Sequence, residues 1–421
     1  MSTKGLIRGE ITDESIELVR QRIGYPNATL RAGVHGGPWN EIATADAIRR
    51  WALCMGDDNR MFVDRSYGRT TRWGETIAPP GFEKSMGILR CKVLPDHLKH
   101  TDRGLRGVQL FYSGGENFYY RPITEGVQLY RSRWVDKVDV KTSQFAGRSV
   151  IVTNGLGLWD DDDQVFSDGV EWFVHAERRK RTADDKASER KVDEPAFYTD
   201  EQQAEIETAY DAEYVRGGDT LYLEDVSVGQ VLPRMVKGPL TTTDLINFHM
   251  GAGWMIYGIW AYRLAYENRK RLRGFYSKNE YNAWDTVQRV HWDKALAEEI
   301  GIPNIYDIGA LRQTMISHYL TNYAGDDAWI YRIRFEFRKF NYMGDVTWIS
   351  GVITDARIDD KLGPLIEVEM SGVNQRGQEN IRASATILVA SRKSGLCKLP
   401  PAPPPPVHRQ ASAGGEGADQ P

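Results

Sequence analysis

The most informative stretch of the sequence is Asn282–Arg312, NAWDTVQRVHWDKALAEEIGIPNIYDIGALR. The fold expected for the whole chain follows from it. They place Asp285 six positions before His291 in a segment whose pattern indicates extended structure. A short amphipathic run and a glycine–proline turn follow, and Gly309 then opens another predicted helix. A carboxylate, an imidazole and a helix N-terminus in this order favour a site for proton transfer beside a polarised carbonyl.

The same stretch resembles the signature of the MaoC-like acyl dehydratases and (R)-specific enoyl-CoA hydratases, which reads roughly Asp-x-Asn-Pro-x-His-x-Asp-x-x-x-Ala. The residues that carry the resemblance are His291, Asp293, Ala297, Gly301, Pro303 and Gly309. The resemblance implies a hotdog fold, in which an antiparallel sheet wraps a long helix. It also implies an activity that adds or removes water across the 2,3-bond of an acyl thioester.

Elimination of water from a 3-hydroxyacyl thioester needs a base, an acid and a stabiliser of the charge that develops on the thioester oxygen. His291 is the predicted base, because an unperturbed imidazole has a pKa of about 6.5. Asp285 is predicted to orient the water or leaving hydroxyl. The Gly309 N–H is predicted to bind the oxyanion, since a helix start offers amides and a glycine admits a carbonyl. Tyr306 is the predicted pocket residue.

The spacing of this motif departs from the family pattern. The family places its Asp five residues before its His with Asn-Pro between them, whereas Asp285 lies six before His291 and Val-Gln-Arg replaces that dipeptide. A one-residue bulge would keep Asp285 pointing inward. Asp293 and Asp307 are the next candidates, and Asp293 is expected to be structural because it matches the second Asp of the signature.

A second, weaker copy of the pattern lies in the first half of the chain. Helical spacing with a Thr cap predicts a helix over residues 43–55, and the run GDDNRMFVD follows it. Asp57 and Asn59 stand at family positions there, but Phe62 stands where the family has its catalytic His. The first half therefore resembles a FAS1-like dehydratase domain with a degenerate site, and Asp57 is expected to be a structural cap.

The order of predicted elements, helix then strands and then the same again, indicates an α+β tandem (double) hotdog. The predicted units are an N-terminal domain at 1–180, a charged linker at 181–215 with a helix after Thr199, an active C-terminal domain at 216–395, and a disordered Pro-rich tail at 396–421. The acidic run at 160–163 is predicted to be a solvated hairpin tip, because it lacks the glycine and glutamate of a calcium loop.

Two predicted helices of the second domain differ in how apolar they are. The run KGPLTTTDLINFHMGAGWMIYGIWAYRLAY is apolar on most faces, which predicts that this helix is the wrapped one. The helix after Gly309 carries a single stripe, formed by Leu311, Met315, Tyr319 and Leu320. His249 lies on the first of these helices and is predicted to be a hydrogen-bonded core residue, whereas His318 lies on the second, where the sequence indicates no partner for it. A basic run between the helices, at Arg269, Lys270, Arg271 and Arg273, fits either a nucleotide phosphate or solvent.

Composition limits the remaining function classes. The 421 residues have a net charge of −4, 41% hydrophobic and 27% charged residues, which is typical of a globular protein and does not favour nucleic acid as a partner. The sequence predicts no membrane span, and its three scattered Cys predict no metal site and a reducing compartment, so the cytoplasm is the expected location. No cofactor is expected beyond a CoA thioester or acyl-carrier substrate, and a homodimer is the expected partner.

Three functions remain open on the sequence. The first is a hydro-lyase acting on an enoyl or 3-hydroxyacyl thioester. The second is a hotdog thioesterase, against which the His-x-Asp signature argues. The third is a non-catalytic acyl-CoA-binding subunit, which the altered spacing between Asp285 and His291 keeps open.

Overall fold

A computed structural model gives the fold and describes residues 5–25, 39–89, 95–143, 147–177, 196–253 and 260–406. The described α-helices are α1 (Asp13–Arg20), α2 (Ala45–Cys54), α3 (Arg60–Val63), α4 (Arg65–Gly68), α5 (Asp200–Asp211), α6 (Thr242–Ala252), α7 (Tyr262–Arg271), α8 (Lys294–Glu299) and α9 (Gly309–Ala324). Threonines open α1, α2, α5 and α6 by accepting a backbone N–H with the side chain, so these starts are readable from sequence.

The described residues contain twelve strands, and ten of them form one sheet. The strands are β1 (Ile88–Leu89), β2 (Gln109–Tyr119), β3 (Tyr130–Ser143), β4 (Gly147–Trp159), β5 (Val165–Ala176), β6 (Met235–Lys237), β7 (Tyr276–Lys278), β8 (Trp284–Thr286), β9 (Trp329–Phe337), β10 (Thr347–Asp359), β11 (Gly363–Asn374) and β12 (Glu379–Leu388). Their order is β1-β3-β4-β5-β2-β9-β12-β11-β10-β6, and β7 with β8 makes a separate hairpin. All the pairs are antiparallel except β1 with β3. The predicted α+β class is confirmed.

The two halves of the chain share this sheet through one strand pair. β2 of the first half runs antiparallel to β9 of the second, with Gly114 opposite Glu336 and Phe118 opposite Arg332. Along β9, Phe335 is fully buried, while Arg332 on the other face pairs with Glu116 of β2. β9 therefore places one face in the core and joins the two halves through the other.

The helix at the centre of the second half is α9. Fifteen of its sixteen residues are buried, and it packs against β2, β9 and β12. The prediction that the earlier helix is the wrapped one is wrong. α6 ends at Gly253, whose φ of 55° stops the helix, and Ile246 and Met250 on it are more than half exposed. Residues 254–259 of that run lie outside the described residues, and its last five residues, 262–266, belong to the separate helix α7.

The first half has no counterpart of α9 in its described residues. After Gly81 the chain forms only a 3₁₀ turn, Phe82–Ser85. α2 packs against α6, and Trp51 and Phe82 fill the space behind them with rings 6.0 Å apart. The two halves are therefore alike in sheet layout and unlike in their helices.

Parts of the predicted linker and of the predicted tail form defined contacts with the rest of the described chain. α5 begins after Thr199 as predicted, with a capping box between Thr199 and Gln202. In the tail predicted to be disordered, Cys397 is buried and its carbonyl accepts a hydrogen bond from Arg72 at 2.7 Å. That prediction is wrong for residues 396–406, because this segment packs on the first half, and residues 407–421 lie outside the described part.

Candidate active site

His291 ends a 3₁₀ turn that is fixed at both ends by side-chain caps. The turn spans Val287–His291, and the Thr286 hydroxyl accepts the Gln288 N–H at 3.2 Å. On the other side, Asp293 caps α8 by accepting the Leu296 N–H at 3.1 Å. The imidazole is thus carried on a short, tightly hydrogen-bonded segment.

The His291 ring is held by a residue that precedes α9. Its Nδ1 lies 2.9 Å from the carbonyl oxygen of Tyr306, and the two rings meet edge to face with centroids 4.7 Å apart. Because a carbonyl can only accept, Nδ1 carries the proton and Nε2 is left as the basic nitrogen. Burial lowers the pKa of His291 to about 4, so the imidazole is neutral at neutral pH.

The start of α9 lies three residues beyond Tyr306. Among the described residues no side chain caps it, and its N-cap is Ile308. The first amides of a helix have no intrahelical acceptor, so the N–H groups of Gly309 and Ala310 carry the positive end of the longest described helix. The structure therefore places the His291 ring against Tyr306, three residues before the start of α9.

Packing supplies a reason for the glycine at 309 that differs from the predicted one. A Cβ there would lie 3.0 Å from Cδ1 of Tyr112 and 3.2 Å from Cε2 of Phe337. Tyr112 belongs to β2, so the missing side chain lets the first half approach α9 and leaves no room for a substrate carbonyl on that side. The Gly309 N–H remains the predicted oxyanion donor.

The carboxylates of the motif do not face His291 in the described contacts. Asp285 lies opposite Ser277 in the β7–β8 hairpin, and its side chain accepts the Thr286 N–H at 2.7 Å. Asp293 forms an ion pair with Arg289 at 2.8 Å in addition to its capping bond. A catalytic role for Asp285 stays a prediction, and the contacts of Asp293 are those of a structural residue.

Asp307, the third candidate, is fully buried beneath the site. It pairs with Arg312 at 2.8 Å, and Asn341 donates to it at 3.3 Å. Burial raises the pKa of the Asp307 carboxyl, and the Arg312 guanidinium opposes that rise. The ion pair joins Asp307, the residue after Tyr306, to Arg312 in the first turn of α9. It therefore helps to fix the Tyr306 carbonyl that contacts His291.

A second imidazole lies near His291, although no motif in the sequence pairs the two. The His249 ring, on α6, packs edge to face on Trp292 at 5.9 Å, and its charge acts to lower the pKa of His291. Burial lowers the pKa of His249 itself to about 4. Only the fold brings α6 to this turn, so no spacing in the sequence reveals the pair.

The Arg289 side chain holds the His291 turn in place, a role that no motif in the sequence indicates. It is 1% exposed and donates to four carbonyls, at distances from 3.0 to 3.3 Å: those of Ser277, Lys278, Asp285 and Thr286. Its Nε donates to Asp293 at 2.8 Å. The guanidinium thus ties the β7–β8 hairpin to the turn that carries His291. It occupies the stretch where the family has Asn-Pro.

We expect Arg289→Met to lower both stability and turnover. The change leaves four carbonyls and the Asp293 carboxylate without their donor, which costs about 3 kcal/mol of unfolding free energy or more. Urea unfolding and kcat measure the two effects. Arg69→Met, at an exposed arginine, is the matched control. Unchanged stability for Arg289→Met would show that the hairpin is held by other contacts.

The degenerate motif of the first half forms a turn and not a proton-transfer dyad of its own. Asp57 accepts the Asn59 N–H at 3.1 Å, Asn59 in turn caps Met61 at 3.0 Å, and Phe62 is 2% exposed. The Asp57 carboxylate also lies 3.7 Å from Nε2 of His318 on α9. The expected capping role is therefore accompanied by a buried contact between the halves.

His318 sits in a polar cluster that connects three parts of the chain. Its Nε2 lies 3.2 Å from Glu213, and its Nδ1 lies 2.8 Å from Nζ of Lys237. Glu213 follows α5, and Lys237 ends β6. The sequence indicates no partner for His318, and the fold supplies Glu213 and Lys237 from distant parts of the chain.

Phe62 lines an apolar cleft between the first half and the C-terminal end of α9. Thr321 and Ala324 form its α9 wall. By the 1.5 Å rise per residue, Thr321 lies about 18 Å along the axis from Gly309. The cleft is separate from His291, and the first half reaches the His291 site instead through Phe111, whose ring lies 6.5 Å from that of Tyr306.

Comparison with known proteins agrees with this architecture. Residues 31–167 match the family model of the FAS1-like dehydratase domain region. A solved MaoC-like dehydratase superposes with a TM-score of 0.57 at 15% identity, covering 88% of this chain and 100% of that one. The chain has a double hotdog fold. The predicted resemblance to MaoC-like dehydratases is confirmed at the level of fold and of the N-terminal region.

Two further solved structures match with lower similarity. One is a MaoC domain protein dehydratase from Chloroflexus aurantiacus, at 11% identity over 85% of this chain and 94% of that one, with a TM-score of 0.47. The other is a Mycobacterium tuberculosis protein described as a double hotdog, at 12% identity over 87% and 98%, with a TM-score of 0.45. No curated protein matches the sequence.

Among the described residues, no three His, Cys, Asp or Glu side chains cluster in a way that would hold a metal ion. None of the helices in the same residues combines the length and the apolar character that a bilayer crossing requires.

Proposed function

We propose that this double hotdog protein is a hydro-lyase that adds water to, or removes it from, the 2,3-bond of an acyl thioester. The observation that carries the proposal is the pairing of a neutral imidazole, His291, with the uncapped start of α9 through the carbonyl of Tyr306. The likeness of fold to a MaoC-like dehydratase and the FAS1-like dehydratase region support it.

Each part of the arrangement has a task in this reaction. In the dehydration direction, Nε2 of His291 takes the C2 proton and the electron pair of that C–H bond forms the 2,3-double bond. The C3–O bond breaks, and the His291 imidazolium gives the proton to the departing hydroxyl, which leaves as water. The α9 amides at Gly309 and Ala310 stabilise the negative charge on the thioester oxygen as the C2–H bond breaks. Asp285 is the predicted group that orients the water, and His249 is the neighbouring alternative.

An assay with two readouts tests the proposal. An enoyl thioester is offered to the protein while the ultraviolet band of the conjugated double bond and the release of free thiol are followed together. Loss of the band without thiol release supports a hydro-lyase. Thiol release would indicate a hotdog thioesterase, and binding without either change would indicate a non-catalytic acyl-CoA-binding subunit.

The pH dependence follows from the lowered pKa of His291. The base must be neutral to act, and its pKa of about 4 keeps it neutral down to that value. We expect kcat/KM to stay level from about pH 6.5 down to about pH 5 and to fall only near pH 4. An acidic limb near pH 6.5, the ordinary value for imidazole, would show that a solvated histidine is the base instead.

A further inference from the structure

We propose that α7 and the β7–β8 hairpin form a docking site for the nucleotide end of coenzyme A, which positions the attached thioester at His291. The inference rests on the proposed function and assigns the carrier of its substrate. The seven residues of this surface, called the cation–aromatic patch, are Tyr262, Tyr266, Arg269, Lys270, Lys278, Tyr281 and Trp284.

Charge in the patch opposes that of the whole chain. Residues 262–285 contain six cations and three carboxylates, in a chain of net charge −4. Glu267 already pairs with Arg263. Within the described residues, Arg269 and Lys270 have no carboxylate within 4.0 Å. Two adjacent cations are thus left for an anion from solution.

Aromatic rings hold these cations in place. The Arg269 guanidinium lies 4.6 Å from the Trp284 ring centroid, and the Lys270 ammonium lies 4.2 Å from that of Tyr266. Lys278 approaches the Trp284 ring from the hairpin at 5.7 Å. Cations that are fixed on rings lose less conformational freedom when they bind a phosphate.

The same surface also exposes aromatic rings to solvent. Tyr262 is 94% exposed and Tyr281 is 80% exposed, and nearly half of Trp284 also faces solvent. Flat rings beside cations match the two parts of a nucleotide, because a base stacks on the rings and a phosphate pairs with the cations.

The patch is joined to the candidate active site by hydrogen bonds. Trp284 begins β8, and the carbonyl of the next residue, Asp285, accepts from Arg289 at 3.2 Å. His291 lies two residues beyond Arg289. A carrier group bound on the hairpin therefore sits on the same fixed segment as the base.

The size of the patch favours a nucleotide over an acidic carrier protein. The unpaired cations and their rings lie on one turn of α7 and one short hairpin, which suits a single phosphate cluster. A protein partner needs a contact face of about 800 Å² on each side.

Charge reversal of the patch tests the proposal. The variant is Arg269→Glu with Lys270→Glu, and the matched control is Lys361→Glu with Lys393→Glu, at exposed lysines on other elements. Each is assayed with an enoyl-CoA and with the N-acetylcysteamine thioester of the same acyl group, which has no nucleotide. We expect the patch variant to lose about tenfold or more in kcat/KM for the CoA ester. The short thioester and the control variant should show no loss.

Other outcomes are decisive as well. An equal loss with both substrates, or no loss with either, overturns the proposal. A loss seen only with an acyl-carrier-protein thioester assigns the patch to a protein partner and also overturns it. If the wild type turns over neither substrate, the proposed function fails, and calorimetry with coenzyme A itself still decides the patch. Binding by the wild type but not by the patch variant supports it, and equal binding overturns it.

Discussion

Replacing His291 by glutamine should abolish turnover and leave the fold intact. The glutamine amide keeps a donor for the Tyr306 carbonyl but has no basic nitrogen, so only the proton transfer is lost. The expected fall in kcat is roughly 10²-fold or more, the range for loss of a general acid–base group. KM should change little, because the hydrogen bonds that fix the turn come from Thr286 and Arg289.

The control for this variant is His100→Gln, at an exposed histidine on the 3₁₀ helix Asp96–Arg103. It should keep full activity. Turnover retained by His291→Gln would move the base elsewhere, and His249 would be the first residue to test because its imidazole affects the pKa of His291.

The largest effect on stability is expected for Arg312→Met. Arg312 is 4% exposed and Asp307 is fully buried, so the change leaves a carboxyl in the interior without its cation. It also removes the donor to the carbonyl of Lys339 at 2.7 Å. Breaking a buried ion pair in this way costs about 3–5 kcal/mol. Urea unfolding at constant pH measures the loss.

The pH dependence of this loss has a definite sign. Burial already raises the pKa of Asp307, and loss of the guanidinium raises it further above the value in the unfolded chain. Such a group favours the folded state at low pH, and that contribution is lost as the pH rises. The deficit of Arg312→Met should therefore be smaller at acid pH than at alkaline pH. The double variant with Asp307→Asn should remove this dependence, and a deficit independent of pH would show that the packing of Arg312 on Phe337 dominates.

Local signals in the sequence predicted helix starts and the motif around His291, since both depend on neighbours in the chain. Thr44 is predicted as a cap because a hydroxyl before an apolar-periodic run satisfies a free amide, and the helix predicted after Thr199 begins there. The spacing from His291 to Gly309 predicts an imidazole near a helix start, and the structure places the His291 ring against Tyr306, three residues before α9.

Hydrophobicity misidentified the enclosed helix, because it does not report which distant residues supply the partners of polar side chains. α9 carries Arg312, Gln313 and His318, whose polarity is typical of a surface, yet each has a hydrogen-bonding partner outside the helix. α6 is more apolar and nevertheless exposes Ile246 and Met250. A polar residue can be buried wherever a distant element pairs with it, and that partner is absent from any local window.

Several contacts around the site likewise form only between distant parts of the folded chain. In the sequence, Arg289 is the last residue of the Val-Gln-Arg that replaces Asn-Pro, and its four carbonyl acceptors are brought to it only when the hairpin folds back on it. The roles of Tyr112 and Phe111 follow from β2 crossing to the second half. None of these contacts is encoded in spacing along the chain.

The pairing of β2 with β9 has a consequence for any attempt to produce the halves separately. Cutting the chain between them would uncover the backbone of two long strands, each with a row of amides and carbonyls ready to recruit another chain. The fragments should associate through these edges or precipitate, whereas mixing them promptly should restore one soluble particle. A change in the edge strand of one half therefore has to remain compatible with the strand of the other half that pairs with it.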